Sequence, residues 1–183
     1  MTSFAEVLES AQSGDAGAFG VLWRETQPIL LRYLRTLTTE GEDVASETWL
    51  QVVRGLSRFR GGEAAFRAWV CTIGRCRAVD AMRAGSRRPE IPVSELPEPL
   101  TGATAPDAAA EAMEHWSTDR AIQLIASLPS EQAEAVMLRV VAGLDVASVA
   151  KITGRSAGAV RVAAHRGLRR LAAQLEPASA VTL

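Results

Sequence analysis

Asp145-Val146-Ala147-Ser148-Val149-Ala150-Lys151-Ile152-Thr153-Gly154-Arg155-Ser156-Ala157-Gly158-Ala159-Val160 is the stretch on which the fold turns. Asp145 and Ser156 are N-cap residues, since a short side-chain oxygen accepts from the free N–H groups of a first helical turn. Ala150 is small where two helices would cross closely, and Gly154 suits the left-handed turn between them. Val160 then returns an apolar side chain to the seam. Two short helices so spaced make a helix-turn-helix, whose second helix enters the major groove. Ordinary helical hairpins share the pattern, so the flanking residues must decide.

They favour nucleic acid. Val160, Ala164, Leu168, Leu171 and Leu175 are expected to form an inward stripe, with Arg161, His165, Arg166, Arg169 and Arg170 on the other sides. Lys151, Arg155 and Ser156 stand at the entry of the second helix. Cations on such a helix dock on phosphates or read guanine edges. Lys151, Arg155, Ser156, Arg161, His165, Arg166 and Arg169 are therefore the candidate duplex-contacting residues.

The charge distribution extends the argument. The net charge of the 183 residues is −1, but it sums strongly opposed blocks. Residues 54–88 hold nine arginines against Glu63 and Asp80, and residues 151–175 hold six cations and no acid. Between them, residues 89–119 hold seven acids and no cation. Solvated faces usually mix signs, so two basic blocks split by an acidic strip indicate two anion-binding surfaces.

Other classes recede. Apolar residues make up 48% of the chain and charged residues 22%, which excludes wholesale disorder. No apolar run is long enough for a membrane span, and the N-terminus lacks a signal-peptide pattern, so a cytoplasmic chain is expected. Cys71 and Cys76 on one helix would lie about 140° apart around the axis, so two reduced thiols are expected rather than a disulfide. With only His115 and His165 available, no metal site is expected. No phosphate-cradling glycine loop or nucleophile motif appears, so neither a cofactor nor an enzyme is expected.

Helical periodicity runs throughout and no sustained strand alternation appears, giving an all-α class. A first long helix carries Phe19, Leu22, Trp23, Leu30, Tyr33, Leu34 and Leu37, and Pro28 is expected to kink or split it. A second opens near Thr39–Asp43, burying Ala45, Trp49, Val52 and Leu56, until Gly61-Gly62 breaks the chain. A third runs from about Ala65 to Ala84, with Phe66, Trp69, Val70, Ile73 and Met82 as apolar contacts. Pro89, Pro92, Pro97, Pro99 and Pro106 then prevent a helix and favour an extended acidic tether. The expected division is a helical domain over 1–88, a linker over 89–116, a helix-turn-helix domain over 117–176 and a tail over 177–183.

The first basic block differs from the second in its aromatics. Arg58, Phe59, Arg60, Gly61, Gly62, Phe66, Arg67 and Trp69 interleave rings, cations and a loop. Single strands are held by such combinations, because exposed bases stack on rings while cations track the backbone. The alternative is that Phe66 and Trp69 belong to the core.

Together these residues resemble a bacterial extracytoplasmic-function (ECF) sigma factor, a transcription initiation subunit. Glu42-Asp43-Val44-Ala45-Ser46-Glu47-Thr48-Trp49-Leu50-Gln51-Val52-Val53-Arg54 is similar to the family's polymerase-binding helix. Phe66 to Asp80 is similar to its promoter-melting and −10-reading helix, and Leu128 through Leu171 resembles its −35-binding domain. The resemblance implies core RNA polymerase and promoter DNA as partners, and an anti-sigma protein as regulator. It implies polymerase contacts at Asp43, Glu47, Trp49, Gln51 and Arg54. It implies −10 and melting contacts at Arg58, Arg60, Phe66, Arg67, Trp69, Arg75, Cys76, Arg77 and Arg83. Two positions depart from the common pattern: Cys76 stands where the family often has Asn, and Val162-Ala163 where it often has Ser-Arg.

Geometry makes the two surfaces depend on a third party. The two promoter elements implied by the resemblance lie about 25 base pairs apart, roughly 85 Å at about 3.4 Å per pair. A relaxed linker of about 30 residues spans only about 30 Å, and about 100 Å when fully drawn out. A polymerase surface that pulls the tether open would bridge the gap. The competing reading is a one-component helix-turn-helix regulator whose N-terminal helices sense or dimerise. It predicts a symmetric dimer and a palindromic site.

Overall fold

A computed structural model describes residues 2–85 and 120–175, which are helical with no strand among them. The expected linker at 89–116 and tail at 177–183 lie outside the described residues. No helix of the described residues is long and apolar enough to cross a membrane.

The N-terminal unit has four helices. α1 (Phe4–Gln12) opens on a capping box, in which Glu6 N–H donates to Ser3 Oγ and Ser3 N–H donates to Glu6 Oε2. Those hydrogen bonds hold the Glu6 carboxyl below its usual range. α2 (Ala16–Arg35) is capped by Asp15, which accepts from the N–H groups of Gly17 and Ala18. Pro28 does not split α2, which runs as one helix through it. Pro28 is exposed, so the Arg24 carbonyl that it leaves without a helical donor lies on the hydrated side. α3 (Gly41–Gly55) passes into a 3-10 turn (Leu56–Arg58), and α4 (Glu63–Gly85) follows. The Gln12 side-chain amide donates to the carbonyls of Leu56 and Phe59, at 2.8 and 2.9 Å, and so ties α1 to the turn before α4.

Leu22, Leu30, Leu34, Val52, Phe66 and Val70 centre the first core. Met82, expected to pack inward, is 45% exposed near the end of α4.

The C-terminal unit begins with helical residues 120–126 (α5). α6 (Ser130–Val136) continues as a π-helical turn (Met137–Val141) and stops at Gly143, whose φ of +65° suits glycine. α7 (Val146–Thr153) is capped by Asp145 and ends at Gly154, φ +69°, while α8 (Ala157–Leu175) follows Ser156. Both caps act as the sequence predicts: Asp145 Oδ1 accepts from Ser148 N–H at 2.6 Å, and Ser156 Oγ from Ala159 N–H at 3.2 Å.

The inward stripe of α8 differs from expectation. Val160, Ala164 and Gly167 are buried, whereas Leu168 and Leu175 are 45% and 65% exposed. Gly167 takes the inward position because α6 approaches closely there: a Cβ would lie 2.7 Å from Val136 Cγ2 and 3.3 Å from the Gln132 carbonyl oxygen. Leu168 is thereby turned about 100° away.

This contact gives a paired prediction. Alanine in a helix interior is favoured over glycine by about 1 kcal/mol, while overpacking typically costs about 1–3 kcal/mol. At Gly20 an added Cβ meets only the movable guanidinium of Arg24, whereas at Gly167 it meets the short Val136 side chain and the Gln132 backbone. Gly20→Ala is expected to raise stability and Gly167→Ala to lower it, each by roughly 1 kcal/mol in chemical denaturation.

The two units are not separate. Tyr33 of α2 and Cys71 of α4 are fully buried within the second core, alongside Ile125, Leu128, Met137 and Ile152. Ile29 and Ala68 pack against the same cluster. Burial pushes the Cys71 thiol up to about 12, with Arg67 opposing weakly. Both cysteines are free, Cys71 buried and Cys76 exposed.

Candidate nucleic-acid interface

On α8, Arg161, His165, Arg166 and Arg169 are all exposed, and Val162 stands among them at 49% exposure. Positions 158, 162, 165 and 169 follow the three-and-four spacing of a single helix face. Lys151 on α7 is exposed too. Ser156 is occupied as the cap of α8. Arg155 is held by Glu131, Nη1 to Oε2 at 2.9 Å, which fixes it at the foot of the recognition helix rather than leaving it extended. The face that remains is a cationic ridge with one apolar side chain in it.

The block before and along α4 is more divided. Arg58 and Arg60 are exposed, but Arg60 donates to the carbonyls of Ser57 and Phe59 and so folds back on its own loop. Arg67 pairs with Glu63 across one helical turn at 3.2 Å. Cys76 is exposed, Arg77 is half-buried, and Arg83 is exposed near the helix end. Phe66 is 1% exposed, with its ring enclosed by Phe4, Phe59 and Trp69 at centroid distances of 5.5–5.9 Å. No ring face remains open to a base, so Phe66 is a core residue that supports the loop. Trp69 is half-buried and stacks on Phe59 at 5.0 Å and 22°.

Arg75 has the most specific environment. Its Nε donates to Glu134 Oε1 at 2.7 Å, and the Tyr33 hydroxyl donates to the same oxygen at 2.8 Å. Glu134 belongs to α6 and is 5% exposed, so this is a buried polar contact between the units. Burial alone would lower the Arg75 guanidinium, but its hydrogen bond to Glu134 and the charge there hold it above its ordinary value. Tyr33 is pushed far up by burial first, and by Glu134 second. A lone carboxylate at this depth would be costly, and the guanidinium offsets its charge while both donors serve its Oε1.

The third surface lies on α3. Asp43, Glu47 and Arg54 are exposed and Gln51 is half-buried. Trp49, buried by its spacing but a polymerase contact by the resemblance, is 7% exposed; it packs edge-on against Phe19 and its indole N–H donates to Gln27. Leu50 and Val53, absent from the predicted set, are 59% and 56% exposed. Asp43, Glu47, Leu50 and Arg54 recur at four, three and four, which puts them on one face. The signal was present in the sequence: Leu50 and Val53 are apolar yet fall outside the buried series Val44, Ala45, Thr48, Trp49 and Val52. For Tyr33 and Glu134 no comparable signal exists.

Comparisons agree with the two-unit layout. Residues 22–88 match the family described as Sigma-70 region 2, and residues 118–171 match Sigma-70, region 4. The chain is 36% identical over 172 residues to the ECF RNA polymerase sigma factor SigD of Mycobacterium tuberculosis, covering 90% of this chain and 80% of that protein. It is 34% identical to the ECF RNA polymerase sigma factor ShbA of Streptomyces griseus, covering 96% of each. Among solved structures, CnrH in complex with the cytosolic domain of CnrY is similar in fold. Its TM-score is 0.59 at 23% identity, with 94% of this chain and 97% of that chain covered.

Proposed function

Because the chain belongs to the ECF family of RNA polymerase sigma factors, we propose that its exposed surfaces divide promoter recognition among them. The chain binds core RNA polymerase and directs promoter-specific initiation. In our assignment, the α8 ridge of Arg161, His165, Arg166 and Arg169, with Lys151 of α7, holds the −35 duplex. The single observation that carries this is the ridge's exposure: three arginines and His165 on the recognition helix face solvent without an acid between residues 151 and 175.

Residues 1–88 take the other tasks. The exposed α3 face of Asp43, Glu47, Leu50, Val53 and Arg54 meets the polymerase, with apolar side chains supplying contact area and the charges orientation. Arg58, Arg60, Arg75, Arg77 and Arg83 track the opened strand. Trp69 offers a ring beside them, and Cys76 faces a base where asparagine is common, with a weaker donor. No catalytic residue is required of the chain, since the polymerase makes the phosphodiester bonds in the cytoplasm. The sigma factor RpoE is solved in complex with the anti-sigma factor NepR, and by analogy a regulatory protein covers this chain's polymerase-binding face when initiation is off.

Run-off transcription tests the reading. Core polymerase supplemented with this chain is expected to yield transcripts from a restricted set of promoters that core alone does not use. Failure of the chain to bind core or confer selectivity, together with a symmetric dimer on a palindromic site, would favour the one-component regulator instead.

A further inference from the structure

We propose that the Tyr33 hydroxyl and the Arg75 guanidinium form one anion receptor, which Glu134 fills in the closed chain and a promoter-strand phosphate fills once the C-terminal unit moves off α4. The proposal rests on the reading of α4 as the strand-binding element, and it assigns that element an internal competitor.

Three observations lead to it. Both donors converge on a single oxygen, Glu134 Oε1, from residues 101 and 59 positions away in sequence. Two donors aimed at one acidic oxygen make a site for an oxyanion, and phosphate oxygens offer the same acceptor as a carboxylate. The acceptor also arrives from the other unit. Glu134 lies on α6 of the helix-turn-helix unit, while Tyr33 and Arg75 lie on α2 and α4. Finally, the receptor is flanked by apolar side chains that the same packing covers, with Ile29, Ala68 and Cys71 against the second core. Closure thus buries apolar surface and neutralises Arg75 in one movement.

Closure and promoter engagement exclude each other. In the closed chain the C-terminal unit sits directly on α4, while the two promoter elements lie roughly 85 Å apart along duplex DNA. A chain that holds both elements must have withdrawn Glu134 from Arg75. Glu134 therefore acts as a stand-in for phosphate, keeping an arginine of the strand-binding element occupied until polymerase draws the units apart.

The receptor makes a prediction of opposite signs. Glu134→Gln keeps an acceptor oxygen but removes the charge, and Arg75→Gln removes the other partner; both are expected to open the full-length chain, seen as a larger radius of gyration in small-angle scattering. Their effects on binding should diverge when a labelled twenty-nucleotide oligo(dT) strand is titrated into the free chain. Glu134→Gln is expected to bind roughly tenfold tighter than wild type, since a site open for a fraction of the time binds weaker by that fraction. Arg75→Gln should bind several-fold more weakly than Glu134→Gln and with a shallower salt dependence, about one phosphate contact fewer. Tyr33→Phe, which removes only the hydroxyl, repeats the scattering measurement should either charged variant fail to fold. Unchanged scattering in the folded variants overturns the latch, and equal strand affinity in Glu134→Gln and Arg75→Gln overturns the receptor. Loss of promoter-specific run-off by wild type would overturn the proposed function instead, and the scattering result would stand apart from it.

Discussion

Replacing Arg161 and Arg166 together with alanine is expected to lower promoter occupancy by the holoenzyme about a hundredfold or more, while leaving its assembly with core polymerase intact. Both side chains are exposed on α8 and lie away from the second core, so the fold should not register the change. The magnitude follows from the chemistry of the contacts. A good arginine–base pair contributes roughly 1–3 kcal/mol of discrimination, and two such losses compound. Salt dependence separates the modes of contact. A phosphate-bound arginine contributes about 0.9 to the slope of log affinity against log salt, whereas a lost base contact relaxes sequence preference instead. Titration of a labelled promoter with holoenzyme, wild type and variant, at several salt concentrations gives both quantities. Unchanged occupancy would remove the α8 ridge from the interface.

Phe66→Ala is the second large effect, and it concerns stability. A buried phenylalanine truncated to alanine typically costs about 3–5 kcal/mol through lost transfer energy and the cavity left behind. Phe66 lies at the upper part of that range by environment, because it is 1% exposed and touches the rings of Phe4, Phe59 and Trp69. Removing it also loosens the stack of Phe59 on Trp69 and the loop that Gln12 holds. Phe66→Leu, which keeps most of the volume, should lose much less. Denaturant unfolding of the full chain measures both. A Phe66→Ala chain as stable as wild type but defective in strand binding would return Phe66 to the role of an exposed stacking ring.

How much of this was legible beforehand depends on the reach of each interaction. The helix-turn-helix was readable almost atom by atom, because its parts act within four residues: Asp145 and Ser156 cap, and Gly154 turns at positive φ. The α3 partner face was readable in outline only. Spacing placed Trp49 among the buried residues while the family resemblance made it a polymerase contact; its indole turns to Phe19 and Gln27, more than twenty positions earlier. Leu168 was assigned inward by its apolar character, but the close approach of α6 gave that position to Gly167. Pro28 was expected to kink or split α2, and its exposed site lets the helix continue unsplit.

The sequence by itself determined the helices, their caps, the two blocks of positive charge and the family, since periodicity and local hydrogen bonding are written in neighbouring residues. Only the tertiary structure decided which aromatic rings are core and that Arg75, Tyr33 and Glu134 meet. The ring contacts depend on how helices pack, and the meeting at Glu134 on faces brought together across more than fifty residues of chain. Burial then reverses the meaning of a residue type: an arginine that reads as a free cation becomes half of a neutralised pair.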